Sequence, residues 1–127
     1  MIRLAHYRMA AKYPRPHIPI SNGVPDDILV TERYREFDPS WNNVSDYRAG
    51  ILTWDRFVDL YWRQLETLWS TRRELFGYLE LRGGTCFCYC TPGDRCHRRI
   101  LACFCLKVGF EVELDGKRLP SNWEEIW

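Results

Sequence analysis

Long apolar runs are missing from this sequence. Nothing in it approaches the ~20 consecutive apolar residues that a bilayer-crossing helix needs, so no membrane partner is expected. The opening MIRLAHYRMAAKYP carries basic residues throughout and no apolar core of the kind that heads a secretory signal, which predicts a cytoplasmic, reducing setting. An excess of charge of one sign is missing too: 18 basic residues face 17 acidic ones, net +1, so strong non-specific nucleic-acid binding is not expected. Internal repeats are absent, which argues against a solenoid. Lysine is scarce, at positions 12, 107 and 117 only, leaving 15 arginines among the 18 basic residues. Arginine grips carboxylates and phosphates through a planar fork where lysine offers a point charge, although a GC-rich coding sequence produces the same skew.

What is present fits one folded unit. A chain of 127 residues, 46% hydrophobic and 28% charged, is too apolar for a disordered segment and long enough to bury a core without disulfides or a structural metal. One α/β domain over residues 1–127 is the simplest expectation: three layers around a mainly parallel sheet, with a cysteine-rich strand, turn and helix at its centre.

Six cysteines crowd into twenty residues: Cys86, Cys88, Cys90, Cys96, Cys103 and Cys105. In a reducing compartment they are expected as thiols. Residues 85–90 are apolar and β-compatible, and a period of two sets all three of their cysteines on one face, with Phe87 and Tyr89 on the other. Residues 91–94, Thr-Pro-Gly-Asp, read as a turn in which Asp94 caps a helix over 95–108, closed by Gly109. Phe110, Val112 and Leu114 predict a further strand, turned by Asp115-Gly116, so that strand, helix and strand form a βαβ unit.

Upstream, Ile2, Leu4 and His6 alternate as a first strand, and Ile28, Leu29 and Val30 as a short buried one. Residues 10–27, with four prolines, and 35–50 read as irregular loops. Thr53 is placed to cap a helix whose Trp54, Phe57, Val58, Tyr61, Leu65 and Leu68 form one face, read as core packing. Thr71 and Glu74 form a capping-box pair for a second helix ended by Arg82-Gly83-Gly84, and Ser121 with Glu124 would cap a short terminal one.

Chemistry is expected where the cysteine strand turns into its helix, because α/β sheets bind ligands beyond the carboxyl ends of their strands. Arg95, Arg98 and Arg99 crowd a helix start whose dipole already favours anions, so a small phosphorylated or nucleotide-like anion would compensate them. Cys90 or Cys96 would serve there as nucleophile, since a helix N-terminus beside arginine depresses a thiol's pKa, with His97 as an acid–base group. His6, ending the first strand, would lie across the same crevice as a ligand-binding residue. Cys86, Cys103 and Cys105 are expected to pack as small hydrophobes. No cofactor is expected under this reading. Under a second, Cys88, Cys90, Cys96 and His97 make a Cys3His zinc set, although the C-x-C-x5-C-H spacing lacks a C-x2-C knuckle.

Two resemblances bear on the same turn. Cys90 to Arg95 has the C-x4-R spacing of a rhodanese-like sulfurtransferase loop, and residues 108–116 are similar to the end of that domain, implying a persulfide carried on Cys90. Cys88-Tyr-Cys90, the turn, and Cys96-His97-Arg98-Arg99-Ile100-Leu101-Ala102 resemble the signature of the family called domain of unknown function 488. Ala5-His6 is a counterpart of that family's Gly-His pair, and Thr31-Glu32-Arg33 departs from its Asp-x-Arg but keeps the arginine, which implies Arg33 as a ligand-binding residue. Cys90 stands where that family often has an acidic residue. This second resemblance implies a fold and a site but names no substrate.

Overall fold

The computed structural model describes residues 1–25, 33–81, 83–88 and 96–121. The expected strand at 28–30, the turn at 91–94 with Cys90 and Arg95, and the helix after Ser121 lie outside the described residues.

A five-stranded, mainly parallel sheet organises the chain as an α/β fold. Its strands are β1 (Ile2–His6), β2 (His17–Pro19), β3 (Thr85–Cys88), β4 (Val112–Leu114) and β5 (Lys117–Arg118). They lie in the order β2-β3-β1-β4-β5, all parallel except β5, which turns back on β4. The middle strand β1 is flanked by the two later strands, with Leu4 in register with both Cys86 and Leu114. Register partners point the same way across a sheet. Ile2, Leu4, Ile18, Cys86, Cys88, Val112 and Leu114 accordingly join one large core cluster, while Ala5 and Phe87 join a smaller one with Tyr7 and Ala10 on the opposite face.

The large cluster is closed by α2 (Trp54–Thr71), α3 (Glu74–Leu81) and α4 (His97–Lys107). Thr53 caps α2 by accepting the Arg56 N–H at 3.2 Å, and Phe57, Tyr61, Leu65 and Leu68 turn inward from that helix. Aromatic edges interlock beneath it: Trp62 meets Phe104 at 5.1 Å and Phe37 meets Phe76 at 5.0 Å between ring centres. Burial of such a side chain contributes about 1.5–3 kcal/mol, so this stripe accounts for much of the stability. On the opposite face the described residues place a 3-10 turn (Tyr7–Lys12) with Tyr13, His17 and Val24 against Phe87 and its neighbours.

Several local expectations need correction. Residues 10–27 are not wholly irregular: β2 forms there despite Pro19, because an edge strand does not need every N–H. Residues 35–50 hold a 3-10 turn (Arg35–Phe37) and α1 (Trp41–Arg48). This helix buries no residue fully; its Val44 and Tyr47 rest half-buried on the core, too short a stripe to stand out, and Asn42 and Asn43 mask it further. Thr71 is no cap; it ends α2, donating its hydroxyl to the Thr67 carbonyl at 2.8 Å. The cysteine helix starts at His97 with Cys96 as its N-cap, and the strand after it starts at Val112. The β3–α4–β4 unit spans a sheet in which β1 lies between its two strands.

Gly84 is fixed by close approach, because a methyl there would overlap the Pro16 carbonyl oxygen. Gly77, within α3, has open space around it. Gly84→Ala is expected to cost about 1–3 kcal/mol and Gly77→Ala to stabilise by up to about 1 kcal/mol, as read from urea unfolding midpoints.

Candidate functional site

Connections leave β1 and β3 in opposite directions: β1 leads outward to β2 at the edge, and β3 leads across β1 to β4. Such a divergence opens a crevice beyond the carboxyl ends of the two strands. His6 ends β1 and Cys88 ends β3, and the two are register partners. Cys96, extended at the N-cap of α4, and His97, its first residue, come back to the same place.

All three of Cys88, Cys96 and His97 are buried, and their ligand atoms lie within 4.8 Å of one another. The Cys88 and Cys96 sulfurs are 3.1 Å apart, and Cys96 Sγ is 3.7 Å from His97 Nδ1. His97 Nε2 lies 2.6 Å from the Ile20 carbonyl. A carbonyl only accepts, so Nε2 carries the proton and Nδ1 keeps its lone pair on the cysteine side. Burial lowers the pKa of His97 against the pull of Cys88, which favours the neutral imidazole that a metal ligand or general base must be. Tyr61 stands edge-on to the ring at 5.6 Å and donates its hydroxyl to the Phe37 carbonyl at 2.6 Å, which fixes the ring's other side.

Arg98 is fully buried, the largest such side chain among the described residues. Its Nε and Nη2 donate to the two carboxylate oxygens of Asp115 at 3.2 and 3.0 Å, and its Nη1 reaches Cys88 Sγ at 3.0 Å. Burial disfavours its charge, but Cys88, Asp115 and Cys96 together outweigh that and hold it firmly protonated. The same guanidinium thus sets a positive charge against the Cys88 sulfur, the kind of atom that binds metals and attacks electrophiles. By contrast, burial pushes Cys86 up to about 12, Cys103 up to about 11 and Cys105 well above the ordinary thiol range, so these three remain protonated packing groups.

The other described residues expected to bind a ligand have bonds of their own, although His6 stands next to Cys88 in register. Arg33 donates to the Ser21 and Asn22 carbonyls at 2.9 and 3.2 Å and to Asp38 at 3.3 Å, tying residues beyond β2 to the start of α1. His6 Nδ1 accepts the Arg8 N–H at 3.0 Å, capping the 3-10 turn. The Arg99 amide donates to the Cys96 carbonyl in the first turn of α4, and its side chain faces Cys103 closely enough to oppose that thiol's upward shift.

Sequence reasoning missed Asp115 as the counter-ion of Arg98, Ile20 as the anchor of His97, and Tyr61 as its wall. The Asp-Gly pair signals a turn, and nothing in its spacing says which arginine the turn will meet. Compared with models of protein families, with curated proteins and with solved structures, the chain matches none. Both resemblances therefore rest on the residues that suggested them.

Asp115 occupies a left-handed conformation, φ 49°. Asparagine tolerates that conformation but removes the charge, so Asp115→Asn is expected to lose about 2 kcal/mol in chemical unfolding by leaving a buried guanidinium short of its partner. Asp38 gives a separate test. Burial pushes its carboxyl up to about 6 although Arg33 opposes the shift. The folded chain therefore binds this proton more tightly than the unfolded chain, and its contribution to stability falls as pH rises from about 4 to 6. Urea midpoints across that range should fall less in Asp38→Asn than in the parent.

Proposed function

We propose that the protein holds a thiophilic divalent metal ion, zinc by its ligand chemistry, on Cys88, Cys96 and His97. The observation that carries this reading is the convergence of two sulfurs and one imidazole nitrogen within 4.8 Å in a buried place. Two thiolates and a neutral imidazole balance the charge of zinc, and the Arg98–Asp115 pair beside them adds none. Around tetrahedral zinc, with bonds of about 2.3 Å to sulfur, two sulfurs stand roughly 3.7 Å apart, so the pair at 3.1 Å would spread by about 0.6 Å on binding. The Ile20 carbonyl on Nε2 is the kind of outer partner that orients a ligating histidine, and the Arg98 fork on Cys88 Sγ does the same for the thiolate.

Cys90 completes the set by sequence. With it the site would be closed and structural; without it, a three-ligand site keeps an open position for a substrate or water. The small-anion reading now stands on Arg95 and Arg99, since Arg98 is committed to Asp115 and Cys88. Sulfur transfer through Cys90 would show itself as a sulfane adduct on that residue.

Elemental analysis and cobalt substitution of protein purified without chelator or a histidine tag test the proposal. About one zinc per chain is expected, with thiolate-to-cobalt charge-transfer absorption, both lost in Cys96→Ser and His97→Ala and kept in Cys103→Ser. Chelation should lower the melting temperature of the parent and leave those of the two ligand variants unmoved. No metal in the parent, and no cobalt spectrum on titration, would overturn the reading, and phosphate titration of the same sample would then weigh the anion alternative.

A further inference from the structure

The cysteine pair carries an inference that the metal reading does not contain. We propose that Cys88 and Cys96 are a peroxide-reactive dithiol that closes to an intramolecular disulfide. Where a metal is bound, closure would remove two of its three described ligands and release it; that last consequence rests on the metal reading, whereas the disulfide does not.

Three observations separate this pair from the other described cysteines. Its sulfurs are already 3.1 Å apart, and a disulfide needs them only about 1 Å closer. Arg98 presses a guanidinium nitrogen to 3.0 Å from Cys88 Sγ. Cys96 sits at the N-cap of an eleven-residue helix, where the unpaired amides and the dipole favour negative charge. Cys86 lies within β3, and Cys103 and Cys105 lie within α4, away from the strand–helix junction where Cys88 and Cys96 meet.

The chemistry balances with hydrogen peroxide as oxidant. The Cys88 thiolate attacks one peroxide oxygen, the O–O bond breaks, and the departing hydroxide takes a proton to become water. Cys88 is left as a sulfenic acid. Cys96 then attacks that sulfur, the S–S bond forms as the S–O bond breaks, and the leaving hydroxide takes the Cys96 proton as a second water. Two thiols are oxidised and one peroxide is reduced to two waters. Arg98 Nη1 stands against the attacking sulfur of Cys88, and the short S···S separation lets resolution outrun further oxidation of the sulfenic acid.

The test uses the full chain as purified, with its metal content measured first. It is treated with a small excess of peroxide, alkylated under denaturing conditions, and mapped by peptide mass. Expected is a cross-link joining Cys88 to Cys96, with Cys86, Cys103 and Cys105 alkylated, reversed by dithiothreitol. Any metal present should appear in solution in step with the cross-link. In Cys96→Ser, or in Cys96→Ala should the serine variant fold poorly, Cys88 should stop at a sulfenic acid trapped by dimedone. A cross-link in protein that holds no metal supports the dithiol and counts against the metal reading alone. Metal-loaded protein that forms no such cross-link, even after chelation, or that joins Cys88 to a different cysteine, overturns the dithiol and leaves the metal reading standing.

Discussion

A guanidinium taken wholly out of water must be met on every side, and Arg98 is such a group. Asp115 takes two of its nitrogens and Cys88 a third. The Asp115 amide in turn donates to the Leu4 carbonyl at 2.9 Å, so the turn after β4 is pinned to the central strand. One side chain at the start of α4 thereby ties together the end of β3, the turn after β4 and, through that turn, β1. A buried ion pair of this kind contributes little net stability compared with apolar packing, but removing one partner is costly. Its consequence is geometric: the helix start cannot shift along the sheet edge without unpairing a buried charge, so Cys96 and His97 stay opposite Cys88.

A second polar layer reaches the site from the other side. His97 leans on the Ile20 carbonyl just beyond β2, and the next two carbonyls, of Ser21 and Asn22, are held by Arg33. Arg33 pairs with Asp38, whose carbonyl accepts from Gln64 of α2 at 2.7 Å, while Tyr61 one turn earlier on α2 borders His97 and bonds the Phe37 carbonyl. The imidazole therefore sits in a frame built from the β2 exit, the 33–38 segment and α2. Arg33 Nε and Asp38 Oδ1 are buried without a partner, so this frame is less fully satisfied than the one around Arg98. It is the softer of the two supports.

What was legible in the sequence follows from which signals are local. The alternation of Cys86, Phe87 and Cys88 is a property of the strand itself, and the two faces it predicts are the two core clusters. Thr53 with its aromatic stripe, Gly109 at the end of α4, and the Asp115-Gly116 turn are likewise written within a few residues. Short elements with a weak apolar period were not legible: α1 turns Val44 and Tyr47 inward half-buried, and β2 is recognised only when β3 is beside it to accept and donate its hydrogen bonds. The location of the site at the strand–helix junction could be read from Cys88, Cys96 and His97. The inward commitment of Arg98 could not, because a helix start with three arginines near it looks cationic until the tertiary partner of each is known.

That commitment changes the chemistry of the place. An arginine facing outward at a helix N-terminus recruits anions from solvent, while one turned inward and neutralised by Asp115 makes a sulfur more anionic instead. With Arg98 in the second role, what meets the guanidinium at the helix start is a carboxylate and a sulfur of the protein itself. Beside that sulfur a second stands 3.1 Å away, a spacing that a cation held between the two would widen and a bond formed between them would close. The proposed metal binding and the proposed disulfide closure would thus be alternative uses of one sulfur pair, held in place by the same buried arginine.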